Sequence, residues 1–200
     1  MTARTPEAFS NAVRELARLP GIGGKTAERL VFHLLARPGA QVRALADALA
    51  QLKDGTRECR ICHNLTDGEL CGICRREQRR QSSICVVEMP QDLFKIEDAC
   101  DYDGTYHVLG GRYAPLEGVF PEDLNIDTLV RRVRTGGVEE VILALNPNTE
   151  GEATAGLVAQ ALRGCAVRIS RLATGMSHGS DIEWTGRHAL QDAFRFRRDI

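Results

Sequence analysis

No stretch of this sequence is apolar over anything near the ~20 residues that a membrane span requires. The basic residues before position 30 are scattered rather than gathered ahead of a short apolar segment, so no export leader is read either. The expectation is a cytoplasmic protein with no membrane partner. Internal repeats and low-complexity tracts are also missing, which sets aside repeat arrays and long disordered linkers. Neither sign of charge dominates: 26 Lys and Arg against 27 Asp and Glu leave a formal net charge of −1. Cysteine is present in an odd number, seven. In a chain without an export signal, that count makes a disulfide framework the poorer explanation of them. Tyrosine is scarce, with Tyr102, Tyr106 and Tyr113 making the full set.

The balanced charge conceals an asymmetry. Residues 1–83 carry 14 Lys or Arg against 9 Asp or Glu, and residues 84–200 carry 12 against 18. A basic front and an acidic back are compatible with nucleic acid meeting the first part and a protein partner the second. Hydrophobic residues make up 43% of the 200, enough for one ordinary core or for several small ones.

The pattern of apolar residues divides the chain. Phe9, Ala12, Val13, Leu16 and Ala17 recur at helical spacing, as do Ala27, Leu30, Val31, Leu34 and Leu35, and then Val42, Leu45, Ala46, Leu49 and Leu52. Pro20-Gly21 and Pro38-Gly39 separate the three predicted helices. Residues 57–76 hold four cysteines and too few apolar side chains for a core of their own. From residue 83 the periodicity alternates. Strands are predicted at 84–88, 106–109, 141–145 and 166–170, and helices near 91–98, 126–134 and 151–163, which implies a parallel α/β sheet. A last helix is expected at 186–197. The fold class is thus α/β in several parts, with segments at 1–56, 57–80, 81–173 and 174–200.

Three motifs carry chemistry. The first is LPGIGGKT at 19–26, a glycine turn between two amphipathic helices. Gly21 and Gly23 open the backbone where the second helix begins, and its N–H donors and dipole favour a phosphate there. Lys25 and Arg29 stand four residues apart, on one helix face, and suit successive phosphates of a strand. An ordinary helical hairpin with a solvated basic face is the alternative. A P-loop is set aside, because Leu19 stands where its first glycine belongs and a helix, not a strand, precedes the turn. The turn resembles the helix-hairpin-helix motifs that bind DNA without regard to sequence.

The second motif pairs Cys59 and Cys62 with Cys71 and Cys74, two C-x-x-C hooks around a turn at Asp67-Gly68. Four thiolates suit a tetrahedral zinc ion and close its coordination sphere, so the expected metal is one structural Zn2+ per chain. Redox pairs or two disulfides are the competing readings. His63 is expected as an exposed imidazole beside the site. Cys85, Cys100 and Cys165 are expected in the core, where free cysteine behaves as a small hydrophobe.

The third motif is NPNTEGEATA at 146–155, where a buried strand empties into a polar turn. Glu88 ends the first strand of the α/β segment as Asn146 ends the third, and ends of neighbouring parallel strands share a crevice. The arrangement resembles the Toprim domain of topoisomerases, primases and some nucleases. There a glutamate and an Asp-x-Asp hold magnesium. Glu88 matches, whereas Asn146 and Asn148 replace the two aspartates, and Glu150 and Glu152 follow. Magnesium depends on carboxylate charge to stay bound, so two neutral amides weaken the case for metal-assisted chemistry. Glu150 and Glu152 also suit a helix N-terminus electrostatically.

A helix-hairpin-helix, a four-cysteine zinc site and a Toprim-like domain, in that order over the chain, resemble the bacterial recombination mediators of the RecR family. YHVLGG at 106–111, PLEG at 115–118 and TEGEATA at 149–155 are similar to signatures of that family. The resemblance implies a DNA-repair protein that is not an enzyme. It would bind DNA as a ring-like homo-dimer or homo-tetramer and work with RecO and RecF to load RecA on single strands coated by SSB. It further implies that Glu88, Asn146, Asn148, Glu150 and Glu152 form a partner-docking surface. The rival reading is a magnesium-dependent Toprim nuclease or primase-like enzyme using Glu88, Glu150 and Glu152. A topoisomerase would need a nucleophilic tyrosine on a separate domain, and all three tyrosines fall inside the α/β segment.

Overall fold

A computed structural model describes residues 5–197; residues 1–4 and 198–200, the outer ends of the first and last expected segments, lie outside the described residues. The chain divides into two compact units between Thr56 and Arg57.

Among its described residues, the first unit holds three helices, α1 (Glu7–Ala17), α2 (Gly24–Leu35) and α3 (Gly39–Gly55). Pro6 and Pro38 immediately precede α1 and α3, each with φ near −55°, a conformation in which the ring fits a helix start without loss of an N–H bond. α1 and α2 fold on each other as a hairpin. Ala27 and Val31 are buried there, and the rings of Phe9 and Phe32 meet with centroids 4.9 Å apart. The connecting turn depends on Gly21, whose φ of +77° is costly for any side chain. α3 forms where the helical spacing predicts it. It buries none of its residues, and Leu45, Leu49 and Leu52 are exposed in the single chain.

The second unit begins with a two-strand antiparallel hairpin, β1 (Arg57–Glu58) and β2 (Leu65–Thr66), which the sequence pattern is too short to show. There follow β3 (Arg80–Val87), α4 (Pro90–Ala99), β4 (Gly104–Val108), α5 (Ile126–Thr135), β5 (Glu140–Leu143), α6 (Thr149–Ala161), β6 (Arg168–Arg171) and α7 (Arg187–Arg195). The last four named strands form a parallel sheet in the order β4-β3-β5-β6. The chain leaves β3 in one direction, to β4, and returns past it to β5. The ends of β3 and β5 therefore flank the switch point where open α/β sheets place their crevice.

Both faces of this sheet are covered. Ile84, Val86, Val141 and Leu143 pack against Leu129 and Val133 of α5 and against Val158 and Leu162. Cys85, Val87, Tyr106 and Val108 pack against Leu93 of α4 and against Ile73 from the cysteine segment. β3 is central and buried on both sides from Ser83 to Val87, which explains its unbroken apolar run. Each fully buried aliphatic side chain contributes about 1.5–3 kcal/mol.

The cysteine segment is not a free lobe. The Val108 N–H donates to the Cys62 carbonyl at 2.8 Å and so closes the open edge of β4. Three local expectations need correction. β3 starts at Arg80 rather than 84, because the Arg80 N–H bonds the Asp103 carbonyl at 2.9 Å ahead of a register shift. β6 is an edge strand bonded only to β5 and occupies Arg168–Arg171 instead of 166–170. Cys85 is buried and Cys165 is partly buried, whereas Cys100 is exposed at the end of α4, where its N–H bonds the Ile96 carbonyl.

Candidate functional site

The thiols of Cys59, Cys62, Cys71 and Cys74 lie within 4.8 Å of one another, and the first three residues are buried. Tetrahedral zinc with Zn–S bonds of about 2.3 Å would separate sulfurs by roughly 3.8 Å. The Cys62 and Cys71 sulfurs already stand 3.5 Å apart. The backbone shapes each hook: the Cys59 N–H donates to the Asn64 carbonyl, and the His63 N–H returns to that of Cys59. Hydrogen bonds with Cys71 and Cys74, together with burial, hold the Cys62 thiol far above its ordinary pKa, while hydrogen bonds from Cys62 and Cys74 favour the Cys71 thiolate. Such a crowd of sulfurs needs a cation before all four can ionise. The donor set fits a single structural zinc, with no position left open for catalysis.

His63 corrects the expectation of an exposed imidazole. Its side chain is 16% accessible, with Nδ1 at 3.0 Å from Glu58 Oε2 and Nε2 at 3.0 Å from Thr128 Oγ1 of α5. A φ of 59°, unusual for a non-glycine residue, turns it out of the hook and onto the sheet domain. There its ring meets that of His107 edge-on at 5.3 Å.

In the first unit, Gly21, Gly23, Lys25 and Arg29 are all exposed. Gly23 is the N-cap of α2 and has no side chain to accept from the first helical N–H groups. Those donors thus point outward from the positive end of a twelve-residue helix, with Lys25 in its first turn and Arg29 one turn further on. Neither side chain forms an ion pair among the described residues. Exposed N–H donors and cations of this kind are chemically able to hold a phosphate.

At the ends of β3 and β5, Glu88 and Asn146 do come together. Glu88 is 3% exposed. One of its carboxylate oxygens accepts from the Asn146 backbone N–H at 2.7 Å, and the other accepts from the Asn146 side-chain amide at 2.9 Å. Asn146 satisfies a buried carboxylate that an aspartate in its place would repel. Asn148 has a different task, as N-cap of α6, its Oδ1 accepting from the Gly151 N–H at 2.8 Å. Gly151 has no room for a side chain, since a Cβ would fall 2.0 Å from the Asn146 carbonyl oxygen. Asn146 and Asn148 are exposed beside partly buried Glu150 and exposed Glu152, and both glutamates lie in the first turn of α6.

Sequence reasoning missed the partner of Glu152. Arg171, at the end of β6, forms a two-pronged ion pair with it and holds that carboxyl below the usual carboxylate range. Only the strand order places a β6 residue beside α6, so the sequence carries no short-range signal of it. A cavity of about 150 Å³ opens here, lined by Leu145, Asn146, Pro147, Gly151, Glu152 and Arg171 among others. Among the described residues, no helix is long and apolar enough to cross a membrane.

Comparison with known proteins follows the same three parts. Residues 9–53 match the RecR helix-hairpin-helix, residues 56–75 the four-cysteine zinc finger domain of RecR, and residues 82–173 the Toprim domain. Recombination protein RecR of Chloroflexus aurantiacus is 48% identical over 204 residues, covering 100% of both chains. The proteins of that name from Rubrobacter xylanophilus and Chloroflexus aggregans are 50% and 51% identical, each over 94% of this chain and over 94% and 92% of their own. With the helical hairpin, the four-cysteine segment and the parallel sheet overlapping the three matched ranges, and with full-length relatives about half identical, the chain belongs to the RecR family of recombination proteins.

Proposed function

We propose that this protein is a non-enzymatic mediator of recombinational repair, a ring-like homo-dimer or homo-tetramer that holds DNA and docks RecO- and RecF-like proteins to load RecA on SSB-coated strands. The observation that carries the reading is the Glu88–Asn146 pairing. Both carboxylate oxygens are engaged by neutral donors, and the charge that would hold magnesium is spent within the fold. In this reading Glu88 supports the loop from beneath, while Asn146, Asn148, Glu150 and Glu152 supply the docking surface, with acidic side chains acting on the encounter with a basic partner. Gly21, Gly23, Lys25 and Arg29 bind DNA through its phosphates. Zinc staples the module at 57–80 to the domain at 81–173, and the segment at 174–200 serves assembly.

The Toprim match favours one rival, a magnesium-dependent nuclease or primase-like enzyme. It would need Glu152 free, and Glu152 is paired with Arg171.

One experiment tests both halves of the DNA claim. Dissociation from linear and circular duplexes is followed in rising salt for the wild type and for Lys25→Ala/Arg29→Ala. A ring should leave linear DNA faster than circles, and the double variant should bind unrelated sequences more weakly, with a salt slope reduced by about two counterions at most. Equal dissociation from both forms would contradict the ring. An unchanged salt slope would remove the hairpin as the DNA site.

A further inference from the structure

Arg132 of α5 is a partly buried cation with no carboxylate partner among the described residues. Its Nη1 donates to the Tyr106 carbonyl at 2.5 Å and its Nη2 to Thr105 Oγ1 at 2.7 Å, both neutral acceptors on β4. No Asp or Glu among the described residues pairs with it. Arg79 makes the contrast, since it meets Glu97 with two hydrogen bonds. A buried guanidinium with only neutral acceptors is unfavourable unless negative charge lies nearby.

The four cysteines would supply that charge once they hold zinc. Burial lowers the proton affinity of Arg132, and the groups that most oppose this are Cys74, Cys62 and Cys59, in that order. The contacts place the two sites against each other independently of any titration. β4 carries both acceptors of Arg132, and its Val108 N–H is bonded to the Cys62 carbonyl. α5 reaches the module again through Thr128, whose hydroxyl bonds His63. Thr128 and Arg132 are four residues apart and so share one face of α5, the face from which Thr128 reaches His63. Zinc with four thiolates is a dianion. We propose that Arg132 is the counter-ion of the zinc tetrathiolate, so that metal retention and the docking of α5 against the cysteine module are one coupled event. Coupling of this kind is reciprocal: the arginine retains the metal, and the metal steadies the helix.

The test uses the full, zinc-loaded chain and follows transfer of zinc to a colorimetric chelator, with amide hydrogen exchange over residues 126–135 as a second readout. Arg132→Met should release zinc about 10–100-fold faster than the wild type, the range typical of outer-sphere partners of a metal site. Arg132→Lys should recover part of the loss, and Arg131→Met, at an exposed neighbour, should release zinc as the wild type does. Chelation of the wild type should quicken exchange along α5. Arg132→Gln separates charge from hydrogen bonding and serves if the methionine variant folds poorly. Fast release from Arg132→Gln supports the counter-ion, and release at the wild-type rate overturns it. In Cys74→His, which keeps a zinc ligand and removes one negative charge, the penalty of Arg132→Gln should shrink. An undiminished penalty would also overturn the proposal.

Discussion

At Asn146 one amide group separates two chemistries. The same side chain that lacks metal-binding charge donates to Glu88 at 2.9 Å, so the buried carboxylate is satisfied within the fold. Replacing Asn146 by Asp should destabilise the protein by about 2 kcal/mol, the value of a hydrogen bond to a charged group, with like-charge repulsion added. Asn148→Asp should cost little, because aspartate caps a helix as well as asparagine does. Thermal denaturation of Asn146→Asp/Asn148→Asp should show a melting temperature that magnesium raises, against a wild type indifferent to it; no difference between the two would count against this account of the loop. His107 provides the pH test. Its ring is fully buried and Nε2 donates to the Asn125 carbonyl at 2.8 Å, and burial pushes its pKa down to about 3, from an ordinary 6.5. Between those values the unfolded chain takes up a proton that the folded chain refuses, so stability is full above pH 6.5 and declines as pH falls below it. Denaturant titrations from pH 7.5 to 5.5 with zinc in excess should show that decline in the wild type and a flatter profile in His107→Asn. Equal slopes would mean that the group does not titrate on unfolding as described.

At the scale of elements, what was legible in the sequence is what short-range spacing encodes. The hooks at Cys59-Cys62 and Cys71-Cys74 placed four ligands because each pair is local, and the strand-helix alternation placed the sheet because β3 is buried on both faces. Less legible were features that depend on which elements become neighbours. Arg171 meets Glu152 only because β6 lies beside β5. Thr128 occupies an ordinary position of an amphipathic helix, yet its hydroxyl meets His63 of the cysteine module. α3 was legible as a helix from its spacing, and its apolar ridge buries none of its residues in the single chain. The helical hairpin supplies the element-scale prediction. Gly21 stands at φ +77°, where any side chain costs roughly 1–2 kcal/mol, whereas Gly23 has an extended backbone and nothing within 4 Å of an added Cβ. Gly21→Ala should therefore lower the melting temperature of the first unit and its DNA affinity together, and Gly23→Ser should be tolerated by the fold. Equal effects from the two would contradict a role for the turn conformation.

At the scale of the whole molecule, two kinds of site differ in what they leave open. The zinc site is closed by four thiols and serves folding, with a contribution of about 10 kcal/mol in small modules of this kind. The hairpin leaves helix N–H donors exposed, together with two cations that form no ion pair among the described residues, features that suit the proposed phosphate surface. The Toprim crevice keeps its shape at the switch point of the sheet while Asn146 answers Glu88 within the fold. In the proposed reading, a scaffold of this design binds DNA and leaves its bonds intact. The most direct measurement of that claim is incubation of the pure protein with supercoiled plasmid in magnesium, at concentrations where a mobility shift shows the DNA bound. The expected result is plasmid recovered supercoiled after removal of the protein, for the wild type and Glu88→Gln alike. Nicked, linear or relaxed product that requires magnesium and disappears in Glu88→Gln would contradict the account and make the protein an enzyme.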